Sequence, residues 1–296
     1  TYLEEGDFVA IHRNSAEIFD ADGKPADRPA VTVSASAALV ETGNYRHFME
    51  KEIHEQPEVI SHTMSHYIDF ADGSTKGLDL PFDFAKIARV AISACGTASY
   101  AGQVAKYWFE RYARLPVDID FASEFRYREI PLASTDLALF ISQSGETADT
   151  LASLRYCKNL GMPIGAVVNV RESTIAREAD VAFPTLAGPE IGVASTKAFT
   201  CQLSVLACLA LNAARARGKI SAEEEREQVK HLAEAPRYAT QALKLSKQIE
   251  KVAHKLSKVN HALYLGRDVS YPLAMEGALK LKEISYIHAE GYAAGE

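Results

Sequence analysis

A chain of 296 residues with 47% hydrophobic and 24% charged residues has the composition of an ordinary globular protein and room for one to three domains. Its net charge of -7 argues against a general nucleic-acid or membrane-surface binder. No apolar run reaches membrane-spanning length and no signal peptide opens the chain, so a cytoplasmic protein without a membrane partner is expected. The four cysteines, Cys95, Cys157, Cys201 and Cys208, have no metal-binding spacing and read as free thiols in a reducing compartment.

Residues 1–33 read as β, with Phe8-Val9-Ala10-Ile11 and Ala16-Glu17-Ile18-Phe19-Asp20 as strands and Asp22-Gly23 as a turn signal for a hairpin. So short a segment cannot fold alone, and with no initiator Met it is expected to be the tail of a larger domain. Residues 33–44 are rich in Ser, Ala and Thr and read as a linker. Tyr45, Phe48, Met49 and Ile53 predict an amphipathic helix ending near Gln56-Pro57, and a second helix is expected over residues 59–67. His47, His54, His62 and His66 are read as scattered surface or packing residues rather than metal ligands.

From Ile87 strands and helices alternate. Strands are expected at residues 88–94, 117–121, 137–141, 164–168 and 181–183, with Cys95-Gly96-Thr97-Ala98-Ser99 as a turn and a helix over residues 100–112. This alternation predicts βαβ units, a parallel sheet and an α/β fold. Residues 197–217 are apolar on most faces and predict a buried helix. Residues 222–258 read as one long charged connecting helix. Ala262-Leu263-Tyr264-Leu265-Gly266-Arg267-Asp268-Val269-Ser270-Tyr271 parallels residues 91–100, which suggests a second copy of the domain with one strand and one helix present.

The stretch that carries chemistry is Leu137-Ala-Leu-Phe-Ile-Ser-Gln-Ser-Gly-Glu-Thr-Ala-Asp-Thr150. A strand apolar on both faces breaks into a turn holding Ser142, Ser144 and Thr147, and a helix follows. A helix start offers free N–H groups and partial positive charge to an anion, and Gly145 allows close backbone approach. Neither the nucleotide P-loop nor the dinucleotide Gly-x-Gly-x-x-Gly pattern is present. The bland reading is a helix N-cap with extra serines. Later, Glu276, Lys280 and Glu283 fall on one helix face, either as a solvated ion-pair ladder or as groups able to move protons.

Ser142-Gln143-Ser144-Gly145-Glu146-Thr147 resembles the phosphosugar signature of sugar isomerase (SIS) domains. Further motifs run along the chain: Tyr2-Leu3-Glu4-Glu5-Gly6-Asp7, Tyr45-Arg46-His47-Phe48-Met49-Glu50, Glu124-Phe125-Arg126-Tyr127-Arg128, Glu190-Ile191-Gly192-Val193-Ala194-Ser195-Thr196-Lys197 and Glu276-Gly277-Ala278-Leu279-Lys280-Leu281-Lys282-Glu283. Together they resemble the glucosamine-6-phosphate synthase family, the isomerising glutamine:fructose-6-phosphate aminotransferases. That resemblance implies a glutaminase remnant at residues 1–35, a linker and helices at 36–75, a first SIS domain at 76–220, a connecting helix at 221–258 and the start of a second SIS domain at 259–296. It implies that Ser142, Gln143, Ser144, Thr147 and Thr97 hold the 6-phosphate. Gly96, Val193 and Ser195 would line the sugar pocket, and Glu283 would shuttle the proton between C1 and C2 beside Lys280. Fructose 6-phosphate, glucosamine 6-phosphate and glutamine-derived ammonia are the implied partners, in a homodimer serving amino-sugar and UDP-GlcNAc synthesis, without metal or cofactor.

The family's N-terminal cysteine nucleophile and its C-terminal Schiff-base lysine are not in the chain, so the chain itself is expected not to complete the reaction. Two alternatives stay open: a stand-alone sugar-phosphate isomerase, and a non-catalytic SIS module that binds sugar phosphates.

Overall fold

The computed structural model describes residues 3–30 and 41–296. It divides into two units, residues 1–41 and 42–296. The linker expected at 33–44 lies mostly outside the described residues, as does Tyr2 of the first motif.

In the first unit, β1 (Phe8–Ile11) pairs antiparallel with β2 (Ala16–Phe19), setting Phe8 opposite Phe19 with their rings stacked at 5.1 Å. The hairpin closes at His12 and Ser15 rather than at Asp22-Gly23. The latter forms a second turn after β2, in which Asp20 Oδ1 accepts from the Asp22 and Lys24 amides at 2.9 Å each. Arg28 grips Asp7 through two bonds of 2.8 and 3.0 Å, the bidentate geometry that suits guanidinium and carboxylate.

The second unit opens with α1 (Phe48–Tyr67), a single helix of 20 residues where two were expected. Pro57 lies inside it and has no N–H for the Ile53 carbonyl, which would ordinarily end the helix. Gln56 Nε2 donates to that carbonyl at 3.0 Å, so the bond lost to proline is replaced by the neighbouring side chain. A short hairpin, β3 (Ile68–Asp69) with β4 (Ser74–Thr75), leads to the main sheet.

That sheet has five parallel strands: β5 (Val90–Ala94), β6 (Val117–Phe121), β7 (Leu137–Ser142), β8 (Ile164–Val168) and β9 (Val181–Pro184). Their spatial order is β6-β5-β7-β8-β9. Every residue of β7 is buried, as the unbroken apolar run requires of a central strand covered on both faces. Leu137, Leu139 and Ile141 join one core with α1, α2 (Gly96–Trp108) and α6 (Lys197–Ala216). Ala138 and Phe140 face the other core, with Phe125 of α3 (Ala122–Phe125), Leu154 and Cys157 of α4 (Ala148–Asn159) and Ile175 of α5 (Thr174–Glu178). The segment expected as a turn at 95–99 is already helical from Gly96, and α2 passes through a π-helical turn at Phe109–Ala113.

Helix α6 is the one helix among the described residues long and apolar enough to cross a membrane, and most of it is buried in the core. The expected single connector is three helices: α7 (Ala222–Ala233), α8 (Ala235–Leu243) and α9 (Ser246–Leu256). Pro236 in the first turn of α8 allows no continuous ladder from α7. A capping box between Ser221 and Glu224 starts α7. Finally β10 (His261–Gly266), α10 (Ser270–Ser285) and β11 (His288–Ala293) form a parallel βαβ unit, one strand more than the sequence suggested. Helix α10 packs against α2.

Candidate functional site

The sheet order fixes where a ligand fits. After β5 the chain runs outward to β6 and then returns past β5 to β7, so α2 and α4 leave β5 and β7 toward opposite faces. The loops at the C-terminal ends of these two neighbours diverge and leave a crevice, the usual ligand position in an open α/β sheet. A cavity of about 200 Å³ lies there, lined by Cys95, Thr97, Ala98, Ile141, Ser142, Gln143, Ser144, Thr147, Ser195 and Gln202.

The turn after β7 is shaped from within. Ser142 Oγ accepts from the Gly145 amide at 3.0 Å and lies 3.1 Å from Thr147 Oγ1. Ser144 Oγ accepts from the Glu146 amide at 3.2 Å. Thr147 occupies the N-cap of α4, yet its hydroxyl caps no amide and turns toward Ser142 instead. Gly145 has φ +66°, and a Cβ there would meet Ser173 Oγ at 1.9 Å, so no other residue fits. The turn is braced from outside by the Ile175 amide on the Gly145 carbonyl at 3.0 Å and the Thr174 amide on Glu146 Oε1 at 2.7 Å.

None of the described residues lining the cavity is charged. Its positive potential comes from the N-termini of α2 and α4, which open beside Thr97 and Thr147. Helix α6 also starts at the cavity, but a carboxylate covers two of the amides at its start. Glu190 Oε1 accepts from Thr196 N at 2.7 Å and Ala198 N at 3.2 Å, while Glu190 Oε2 accepts from Ser195 Oγ at 2.9 Å. The same loop is pinned by Glu52 of α1, a buried carboxylate that accepts from Ile191 N at 2.5 Å and Gly192 N at 3.1 Å. A Cβ on Gly192 would fall 2.5 Å from Glu52 Oε2, which explains glycine at that step.

Helix α10 reaches the cavity through Thr97. Lys280 Nζ donates to Thr97 Oγ1 at 2.9 Å and pairs with Glu283 Oε2 at 2.6 Å and Glu276 Oε1 at 3.5 Å. Thr97 Oγ1 also lies 3.1 Å from Glu276 Oε1. Glu276 is 6% exposed, and its second oxygen has no partner among the described residues. Burial pushes its carboxyl up to about 7, against the opposing pull of Lys280 and Thr97. A group that gains and loses a proton near neutrality is suited to acid–base chemistry.

Of the residues the sequence pointed to, Thr97, Ser142, Gln143, Ser144, Thr147 and Ser195 come together in this one cavity. Gly96 adjoins it as the first residue of α2, with φ +53°. Val193 does not reach it. That side chain is fully exposed and lines a second cleft of about 430 Å³ with Glu283, Ile284, Tyr286, Ile191 and residues 47–49. Glu283 is therefore one ammonium removed from the cup rather than inside it. Gln202 was not singled out by sequence, and Glu276 was named only together with Lys280 and Glu283 as a ladder or as groups able to move protons. Gln202 was absorbed into an apolar helix, although it is a carboxamide only seven positions after Ser195. Glu276 was one rung of an apparent surface ladder, and only packing on α2 distinguishes it. Cys95 lines the cavity and is half-buried, unlike the other three cysteines, whose burial raises each thiol to about 12.

Comparison with known families gives a match to the SIS domain over residues 83–212 and 255–296, more than half of the chain and both copies of the strand–helix pattern. The chain belongs to the SIS domain family. Among curated SIS proteins it is similar over its whole length to the glutamine--fructose-6-phosphate aminotransferase [isomerizing] of Mesorhizobium japonicum, at 71% identity, and to that of Brucella abortus, at 64%. It spans 49% of each, about half the length of the curated relatives it matches. Among solved SIS structures, the C-terminal domain of glucosamine-fructose-6-phosphate aminotransferase from Francisella tularensis superimposes with a TM-score of 0.83 at 44% identity, covering 87% of this chain and 72% of that one. A glucosamine-6-phosphate deaminase from Thermotoga maritima shares the fold, with a TM-score of 0.66 at 23% identity over 84% of this chain and 71% of that one.

Proposed function

We propose that this chain is the phosphosugar-binding, isomerase part of a glutamine:fructose-6-phosphate aminotransferase (isomerizing), which makes glucosamine 6-phosphate from fructose 6-phosphate and glutamine. The observation that carries the reading is the cavity between the ends of β5 and β7, with five hydroxyl side chains, two helix N-termini and no charged side chain among the described residues that line it. Such a lining suits a phosphate ester, whose oxygens accept hydrogen bonds from hydroxyls and amides. The 71% identity to the Mesorhizobium aminotransferase supports the choice of sugar phosphate.

In this reading Ser142, Gln143, Ser144, Thr147 and Thr97 hold the 6-phosphate, and Gly96 and Ser195 border the sugar. Val193 belongs to the rim of the adjoining cleft. Glu283 takes the proton from one of C1 and C2 and returns it to the other, the carbonyl or imine having made that C–H acidic. Lys280 pairs with Glu283 at 2.6 Å and orients it. Ammonia released from glutamine by a glutaminase domain supplies the nitrogen, and the working protein is a cytoplasmic homodimer.

One observation favours a second reading, a non-catalytic sugar-phosphate-binding module: Glu283 lies in the cleft beside the cup and not among its lining residues. Calorimetric titration with fructose 6-phosphate, fructose and inorganic phosphate tests the shared part. Fructose 6-phosphate should bind and fructose should not; equal affinity for fructose 6-phosphate and inorganic phosphate would overturn a phosphosugar site. Formation of glucosamine 6-phosphate by the aminotransferase containing this chain separates enzyme from module.

A further inference from the structure

The α6 wall of the cavity differs from the turn after β7 in carrying an unpaired carboxamide and a carboxylate behind it. Gln202 lies in the second turn of α6, is 2% exposed and lines the cavity, and its Oε1 has no hydrogen-bond partner among the described residues. A buried acceptor left unpaired is costly, so natural proteins rarely leave one without a use. Its neighbour on this wall, Ser195, spends its only hydroxyl proton on Glu190 Oε2 at 2.9 Å, so toward the cavity Ser195 offers lone pairs. Glu190 also accepts from the Thr196 and Ala198 amides, so its negative charge opposes the anion-attracting end of α6. The wall therefore turns the unpaired Gln202 carboxamide and the Ser195 lone pairs to the cavity, with the Glu190 carboxylate behind them.

A phosphate dianion meets the like charge of the Glu190 carboxylate behind this wall, which disfavours it there. A sugar hydroxyl is a donor and fits it. We propose that Gln202 is a specificity-determining residue whose side-chain carbonyl accepts a hydrogen bond from one hydroxyl of the bound sugar phosphate. This rests on the phosphosugar reading of the cavity and deepens it: the turn after β7 anchors the phosphate, and α6 distinguishes a polyhydroxylated ester from a bare phosphate or an alkyl phosphate.

The experiment is calorimetry on the full chain, wild type against Gln202→Leu and Gln202→Met, with inorganic phosphate, a hexose 6-phosphate and its monodeoxy analogues. In both variants inorganic phosphate should bind within about twofold of wild type, while the hexose 6-phosphate should lose about 5- to 100-fold, the range for an unpaired neutral group. One monodeoxy analogue should show a similar loss with wild type and no further loss with either variant. The unliganded variants should melt no lower than wild type, because the atom removed had no partner in the fold. An unchanged hexose 6-phosphate affinity in Gln202→Leu and Gln202→Met would overturn the proposal. So would a parallel loss for phosphate and sugar accompanied by a lower melting temperature, which marks a structural role. If neither variant folds, the wild-type deoxy series decides, and the absence of any hydroxyl worth fivefold overturns it. A wild type that binds the hexose 6-phosphate no better than phosphate brings down the phosphosugar reading itself, a result distinct from failure at Gln202.

Discussion

Lys280 donates its ammonium to Thr97 Oγ1 at 2.9 Å, across 183 positions of sequence. The bond joins the βαβ unit at the end of the chain to the first turn of α2, where Thr97 also lines the hydroxyl cavity. The same ammonium holds Glu283 at 2.6 Å, so the hydroxyl-lined cavity and the proposed base share one cation.

Glu283→Gln keeps the shape and the hydrogen-bonding reach of the side chain and removes its ability to take a proton. In the complete aminotransferase it should lower turnover by about 10²- to 10⁴-fold with little change in fructose 6-phosphate affinity. Exchange of the C1–C2 proton with deuterated water, followed alongside glucosamine 6-phosphate formation, checks the step directly. Wild-type exchange in the variant would return Glu283 to a solvated ion pair and favour the non-catalytic module.

Thr147→Val is nearly isosteric and removes one of the paired hydroxyls, and Ser144→Ala removes a second. Each should weaken fructose 6-phosphate binding by about 1.5–3 kcal/mol, the worth of a bond to a charged group. Calorimetry measures it, and equal affinities for the three proteins would remove the phosphate from this turn.

Gly145→Ala should damage the same turn by a different route. The new Cβ would stand 1.9 Å from Ser173 Oγ and 2.4 Å from Ser173 Cβ, at a φ of +66°. The backbone conformation alone costs about 1–2 kcal/mol for a residue with a Cβ. Adding Ser173→Gly should recover part of the lost thermal stability and phosphosugar affinity by clearing the clash, and leave the backbone cost in place. A Gly145→Ala protein with unaltered melting and binding would contradict the packing described.

Glu276 gives the protein a pH dependence of defined sign. Its carboxyl holds a proton up to about 7 when folded and releases it near 4.5 in the ordinary unfolded chain. Between those values the folded state binds more protons, so the stability associated with this group is complete below 4.5 and is lost as pH rises through about 7. The loss is about 3 kcal/mol, at about 1.4 kcal/mol for each pH unit. Glu276→Gln lacks it. The melting temperature of the variant relative to wild type should rise steadily across that window, and a pH-independent difference would refute the assignment.

Much of this was legible in sequence where residue type and spacing act locally. The run of residues 137–141 is apolar at every position, which only a two-sided core rewards, and three hydroxyls with a glycine at a strand exit have few structural uses. What escaped was decided by distant partners. Pro57 reads as a stop until the Gln56 side chain is seen serving the Ile53 carbonyl. Glu276 and Glu283 have the same chemistry on the same helix face, and only contact with α2 buries one and leaves the other in a solvent-facing cleft. Val193 follows a motif that suggested the sugar pocket, yet the Glu52 anchor two residues earlier fixes the loop so that its side chain points outward. The strand order β6-β5-β7-β8-β9, which creates the crevice, is a property of the assembled sheet.

The Glu52 anchor also bears on the order in which the molecule is made. Glu52 and the Ile191 amide it holds are separated by 139 positions, with the whole five-stranded sheet between them. Closing so long a loop has an entropic cost that only a nearly finished fold can offset, so this contact forms late. The hydroxyl turn, by contrast, spans six consecutive residues and can take shape as soon as β7 finds its neighbours. The hydroxyl turn of a nascent chain should therefore take shape before the α6 wall is in register. If the cavity binds a sugar phosphate as proposed, tight capture of the complete ligand should require a docked α1, and the ligand should then favour the finished molecule over its precursors.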